Sequence, residues 1–411
     1  VKTKRRLFEH LEHWGVFLMI MVSLFFFSQP AARAEERKSL EEVLVEKGVL
    51  SQEEAAAVQG RKLSKWIDRV VFSGDFRLRH ESFLKDPDLD RHRQRFRLRL
   101  GSEIKVGDFF VGVRLASGDG QQVSTNQSFD NLFSQKQIWI DRAYLQWRGI
   151  PGVALTGGKM PNPFFTIPDV VWDEDVNPEG FAQNFQLKLS DTLTLFANTG
   201  QFALDEDAAD NNDQWLFGEQ GGVQAGFGKS VQLTLAGAFY NFKNATRGNF
   251  GQVIAQEGNT RVPPTPPAAA TNTLVNSFRV LDITAELGIK FGPIPVAIHG
   301  DYVKNLADTT TDEDTGYQVG ARVGKAGDPQ TWEVGYFYRV LETDATVADL
   351  TDSDFGDGGT NRKGHTGWVA YAFTKALVAK TKYSATRVED QSLPPGRDNI
   401  KRFQFDLLMK F

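Results

Sequence analysis

Residues 91–101 read RHRQRFRLRLG, with arginine at positions 91, 93, 95, 97 and 99. A period of two belongs to a β-strand, whose successive side chains point to opposite faces; on a helix the same residues would scatter around the axis. One face of this strand is cationic, and the other ends in Phe96, Leu98 and Leu100. Two settings suit such a strand. In a soluble sandwich the apolar face meets a core and the arginines meet water. In a membrane barrel the apolar face meets lipid and the arginines line a wet interior.

The ends of the chain favour the second setting. The last residues, RFQFDLLMKF, place Phe403, Phe405, Leu407, Met409 and Phe411 on one face and Arg402, Gln404, Asp406, Leu408 and Lys410 on the other. That is lipid-out, polar-in alternation. At the other end, Lys2, Lys4, Arg5 and Arg6 precede the apolar run WGVFLMIMVSLFFF (14–27), and AARA (31–34) has the small-residue pattern of a cleavage site. The run is shorter than the ~20 residues a transmembrane helix needs, so residues 1–34 read as an export signal. Cleavage there would remove five basic residues (Lys2, Lys4, Arg5, Arg6, Arg33) and two acidic ones (Glu9, Glu12) from 47 and 52, leaving 42 against 50, a net charge of −8. An acidic balance gives no reason to expect nucleic acid as a partner. The chain has no cysteine, so disulfides play no part in holding the fold.

Residues 35–66 read as a short periplasmic helix pair, with S-x-x-E capping boxes at Ser39/Glu42 and Ser51/Glu54. From Arg69 onward alternating segments are joined by turns that are short and long by turns. The short ones are 106–108, 149–152, 190–192, 228–230, 292–295, 326–329 and 374–376. The long ones are 86–90, 118–135, 161–181, 203–216, 242–276, 306–314, 345–362 and 389–398. Seven short turns and eight long loops make 16 strands. An even count, with both ends on the short-turn side, is what a closed antiparallel membrane barrel requires. The expected fold is therefore all-β: a 16-stranded antiparallel transmembrane barrel over residues 67–411, preceded by the helix pair. Faces sort cleanly in most strands, as with Leu281, Ile283, Ala285, Leu287, Ile289 and Phe291 against Asp282, Thr284, Glu286 and Lys290. Around Gly157–Lys159 no face can be chosen, and Phe196 falls among residues otherwise expected in the lumen.

The stretches FSGDFRLRHESF (72–83), RHRQRFRLRLG (91–101), IDRAYLQW (140–147), GGKMPNPF (157–164) and WDEDVNPEGFA (172–182) occur in that order. Together they resemble the "putative porin" family of bacterial outer-membrane barrels, over nearly all of the chain that follows the signal. The resemblance implies a passive diffusion channel, trimeric or monomeric, bordered by outer-membrane lipid and lipopolysaccharide. It also implies a C-terminal strand ending at Phe411 that the barrel assembly machinery recognises. In general porins the third long loop folds into the barrel. Carried over to 161–181, that would set Asp169, Asp173, Glu174, Asp175 and Glu179 against a basic wall of Arg77, Arg79, Arg93, Arg95, Arg97 and Arg99. Arg114, Arg142 and Arg148 also read as inward. Opposed charges of this kind set a field across a pore and favour small hydrophilic solutes.

Other chemistry finds little support. The acid-rich segments 205–213 and 349–359 lack calcium-loop spacing, and His80, His92, His299 and His365 are far apart, so neither metal nor cofactor is expected. No G-x-S-x-G occurs, and a catalytic barrel would need a nucleophile beside a histidine at its rim. The remaining alternative is a barrel whose interior is plugged, with a structural or adhesive role carried by long loops such as 242–276 and 345–362.

Overall fold

The computed structural model describes residues 67–86, 88–167, 170–206, 208, 212–248, 250, 258–262, 273–392 and 399–411. The expected signal and helix pair lie outside these residues.

Strand β1 (Arg69–Asp86) is followed by β2 (Arg91–Val106), β3 (Phe109–Ser117), the two-residue β4 (Gln127–Ser128), β5 (Ile138–Trp147) and β6 (Val153–Lys159). Then come β7 (Glu179–Lys188), β8 (Leu193–Asp205), β9 (Gln214–Phe227), β10 (Val231–Lys243), β11 (Phe278–Phe291) and β12 (Ile294–Asn305). The last five are β13 (Thr315–Gly324), β14 (Trp332–Leu341), β15 (Arg362–Ala372), β16 (Leu377–Val388) and β17 (Asn399–Lys410). Apart from β4, each strand pairs antiparallel with its neighbours in sequence, and β17 pairs with β1, so sixteen strands close into a barrel. β4 belongs to the second long loop and pairs with β2 at Arg95 and Phe96, beyond the point where β3 stops.

Closure is completed at the C-terminus. The amide of Gly74 donates to the Phe411 carbonyl at 2.8 Å, and the Phe411 amide donates back to Gly74 at 3.1 Å. A Cβ on Gly74 would lie 2.5 Å from the Phe411 ring, so only glycine leaves room for the terminal aromatic. The short turns are tight. Gly228 (φ +64) and Gly292 (φ +58) occupy the left-handed region that a two- or three-residue reversal needs.

Burial settles the choice left open by the arginine strand. Phe76 and Leu78 are 37% and 41% exposed, whereas Arg77 and Arg79, which alternate with them, are 7% and 5% exposed. Apolar side chains point outward and charged ones inward, the reverse of a soluble sandwich. The same parity places Thr156 and Gly158 inward on β6. It also places Phe196 inward on β8, where its ring covers Gly222 and lies 6.2 Å from the ring of Phe165.

Inside the upper barrel the long loops form an apolar core. Val170, Val171, Trp172 and Val176 of the third loop (160–178) pack with Ala345 and Val347 of the seventh (342–361), against the inward residues Phe202, Leu216, Tyr240, Phe242, Phe278 and Val280. Glycines on the wall make the seat. A Cβ on inward-facing Gly218 would come 2.5 Å from the Phe164 ring, which stands edge-on to Tyr240 at 5.1 Å.

Candidate functional site

The arginine ladder faces the lumen. β1 and β2 are registered so that Arg77 stands opposite Arg97 and Arg79 opposite Arg95. Like charges directly across a sheet repel, so the ladder needs carboxylates among its rungs. The same wall supplies them. Asp75 is registered opposite Arg99, Glu81 opposite Arg93, and Asp406 of β17 opposite Arg79. Asp406 takes a two-pronged pair of bonds from Arg79, Nε to Oδ1 at 2.6 Å and Nη2 to Oδ2 at 2.7 Å. Asp75 is shared by Arg97 Nη2 at 2.9 Å and Arg99 Nε at 2.7 Å. Glu81 is fully buried, accepts from Arg402 Nη2 at 2.6 Å and pairs with Arg93. Charge-assisted bonds of this geometry are about twice as strong as neutral ones, and the planar guanidinium fork suits them.

Three loops complete the ladder's hydrogen bonding, two of them with a carboxylate. Asn126 of the second loop (118–137) accepts from Arg77 Nη2 through its side chain at 2.7 Å and from Arg95 Nη2 through its carbonyl at 2.9 Å. Asp175 of the third loop meets Arg99 Nη1 at 3.1 Å and lies 3.9 Å from Arg97. Asp354 of the seventh loop meets Arg79 at 2.9 Å and Arg402 at 2.7 Å. Burial alone would raise the Asp354 carboxyl, but the guanidiniums of Arg79 and Arg402 outweigh it and hold that group well below the usual range.

The loops also hold each other. The Asp173 amide donates to the Leu350 carbonyl at 2.7 Å, and the Ser353 amide donates to Asp173 Oδ2 at 2.9 Å. Ser353 Oγ donates to the Val123 carbonyl at 2.8 Å. Between them and the ends of β8 and β9 opens a cavity of about 910 Å3, lined by Trp139, Trp172, Asp175, Asn177, Phe202 and Asp349 among others.

The expected site residues are thus distributed unevenly. Arg77, Arg79, Arg95 and Arg97 point inward but are buried under loop residues, while Arg93 and Arg99 keep side-chain exposures of 20% and 18%. Arg114 pairs with Asp141, at a bulge in β5, and Arg142 Nε donates to Asn177 Oδ1 at 2.7 Å. Arg148 is exposed in the short turn after β5, with its guanidinium over the Phe110 ring at 4.6 Å, and takes no part in the ladder. Of the acids, Asp175 meets the ladder, Asp173 turns to the seventh loop, and Glu174 interacts with Arg99 and Lys380. Glu179 is the first residue of β7, not part of the loop, and bonds Lys159 at 2.7 Å. Asp169 lies outside the described residues.

Several participants had not been singled out as site residues. Asp75 and Glu81 share the parity of Arg77 and Arg79, so the period of two could have found them. Lys380 and Lys382 alternate inward on β16 and, like Arg142, meet no carboxylate at ion-pair distance among the described residues. Asp354 carried no local signal, because its partners lie on β1 and β17.

A sequence profile of the family described as "Putative porin" matches residues 83–262 and 245–411. The chain belongs to that porin family. Outer-membrane porins share its architecture. OprB of Pseudomonas putida aligns with a TM-score of 0.54 at 10% identity, over 83% of this chain and 94% of that one. OmpF of Salmonella typhi, solved in complex with daunomycin, aligns with a TM-score of 0.51 at 11% identity, over 83% of this chain and 97% of that one. At such identities the likeness is one of fold. No curated protein sequence matches the chain. Family and fold together place this porin in the outer membrane as a channel-type barrel.

Proposed function

We propose that this porin conducts small hydrophilic solutes and ions by passive diffusion, through a passage narrowed by the third and seventh loops and biased towards anions. One observation carries the bias. The ladder arginines are matched by Asp75, Glu81, Asp406, Asp175 and Asp354, whereas Arg142, Lys380 and Lys382 face the lumen with no carboxylate at pairing distance among the described residues. Fixed, unmatched cations in a low-dielectric channel concentrate anions. The matched rungs act differently: they anchor the loops that set the width. In this reading Glu174, exposed near Lys380, tempers the preference. Lipopolysaccharide borders the outer rim, and the strand ending at Phe411 is the element the assembly machinery takes up.

The test is a planar bilayer holding the purified protein in a salt gradient. Stepwise ohmic conductance with an anion-selective reversal potential is expected. A folded barrel without conductance would favour the second reading, a plugged structural barrel, for which the apolar core between the third and seventh loops speaks.

A further inference from the structure

The lumen has two unlike walls. Lys380 and Lys382 of β16 mark one, and the other, on β7–β10, carries uncharged amides and hydroxyls. Among the sixteen wall strands β8 is the seventh and β16 the fifteenth, so they lie half a circuit apart and face each other. Phe196 lies three residues from the turn end of β8 and Lys380 three from that of β16, which sets them at comparable heights.

The third loop divides the amide wall. Asn184 Nδ2 donates to Asn198 Oδ1 at 2.7 Å, Asn198 Nδ2 to Gln220 Oε1 at 2.8 Å, and Gln220 Nε2 to the Phe165 carbonyl at 2.7 Å. That row fastens the loop and is fully engaged. Towards the turns the wall is free. Gln186 is registered opposite Phe196, Thr194 opposite Gln224, and Gln232 follows on β10, so register puts all four polar side chains on the inward face. Each is half-exposed or exposed, and none of these side chains has a hydrogen-bond partner among the described residues.

Free amides and a hydroxyl beside a half-exposed aromatic ring suit a polyhydroxylated chain. Its hydroxyls trade water for amide partners, and its C–H face lies on the ring. The charges around them orient such a chain. Glu286 of β11 faces inward beside Thr234 and repels an anionic group, and Lys188 at the rim pairs with Asp191. Across the lumen, Asp406, registered opposite Lys380, is held by Arg79, and Glu333 accepts from Trp368 Nε1 at 2.7 Å. Glu174 is the remaining acid that interacts with Lys380. An acid group therefore turns to β16 and leaves the hydroxyls to β7–β10.

We propose, resting on the channel reading above, that the solutes this passage favours are polyhydroxylated carboxylates of the sugar-acid kind. Lys380 and Lys382 draw in the carboxylate, and Gln186, Thr194, Gln224 and Gln232 replace water on the hydroxyls as the solute passes. Contacts that are weak and spread over several groups allow it to leave again.

The test compares gluconate with hexanoate, carboxylates of equal chain length that differ in their hydroxyl groups, at pH 8 in planar bilayers. Reversal potentials against chloride give each permeability. Gluconate is expected to be about fivefold more permeant than hexanoate, the worth of one or two net hydrogen bonds. Gln186→Leu with Gln224→Leu should bring the ratio close to one, and Lys380→Gln with Lys382→Gln should lower both anions relative to potassium. Heat-shift on gels verifies folding of each variant, and the wild-type ratio decides the matter should a variant misfold. Equal permeabilities in the wild type, or a preference for gluconate that survives the glutamine replacements, would overturn the proposal while chloride conduction upholds the channel reading. A folded barrel that conducts no anion would overturn both.

Discussion

Arg79 and Asp354 lie 275 positions apart in sequence and meet at 2.9 Å inside the barrel. One belongs to the first strand of the wall and the other to the seventh long loop. Through this contact, and that of Asp354 with Arg402, the wall anchors the loop that fills the upper lumen.

Replacing Asp354 with Asn should release that loop. Removing one partner of a buried ion pair costs about 3–5 kcal/mol where the charge left behind is uncompensated; the cost here is smaller, because Arg79 keeps Asp406 and Arg402 keeps Glu81. Single-channel conductance should rise, while the barrel itself, closed by β1 and β17, stays folded. Unaltered conductance would mean that the loop's apolar contacts suffice to hold it.

The pH dependence has a definite sign. Asp354 is held well below its ordinary value of 3.8, so its stabilising contribution is complete above that value and is lost only as pH falls through the depressed one. Conductance should therefore be insensitive to Asp354 between about pH 7 and pH 4. A step in that range that disappears in Asp354→Asn would contradict the anchoring role.

Charge reversal should separate the two kinds of cation. Glutamate at Arg142, Lys380 and Lys382 should move the reversal potential towards cations with little loss of folded protein. Glutamate at Arg95 and Arg97, which are buried and bonded to Asn126 and Asp75, should instead reduce the yield of folded barrel. Reversal potentials and heat-shift gels measure the two effects.

Arginine at Leu98 or Leu407 should hinder assembly by about 2–4 kcal/mol where the position meets mid-bilayer lipid. Urea unfolding in detergent or vesicles gives the value. Wild-type stability of both variants would invert the assignment of faces.

Gly218→Leu should displace the third loop, since even its Cβ would enter the Phe164 ring. The cost should be about 1–3 kcal/mol of overpacking. A changed conductance without loss of the barrel would show that this seat positions the constriction.

Much of the architecture was legible along the chain. Strand number, the alternation of short turns with long loops and the grouping of the arginines on one face follow from local periodicity, since a strand's pleat and a turn's length are set by neighbouring residues; that this face turns inward needed the burial of Arg77 and Arg79. The ambiguous segment 157–159 contains Gly157 and Gly158, which lack the side chains by which a face is read, and Gly158 has φ +114. Phe196 reads inward only once Phe165 and Gly222 are seen to receive it.

The residue pattern carries the barrel: sixteen alternating segments, joined by short turns and long loops in strict alternation and closed by an apolar-faced last strand, fit a lipid-facing wall. Which carboxylate meets which arginine was decided by the tertiary structure alone. Asp75, Glu81 and Asp406 reach the ladder through cross-strand register, and Asp175 and Asp354 through loops folded back from the far rim. Those contacts join residues tens to hundreds of positions apart. Register and loop return depend on closing the whole barrel, and no local pattern encodes them.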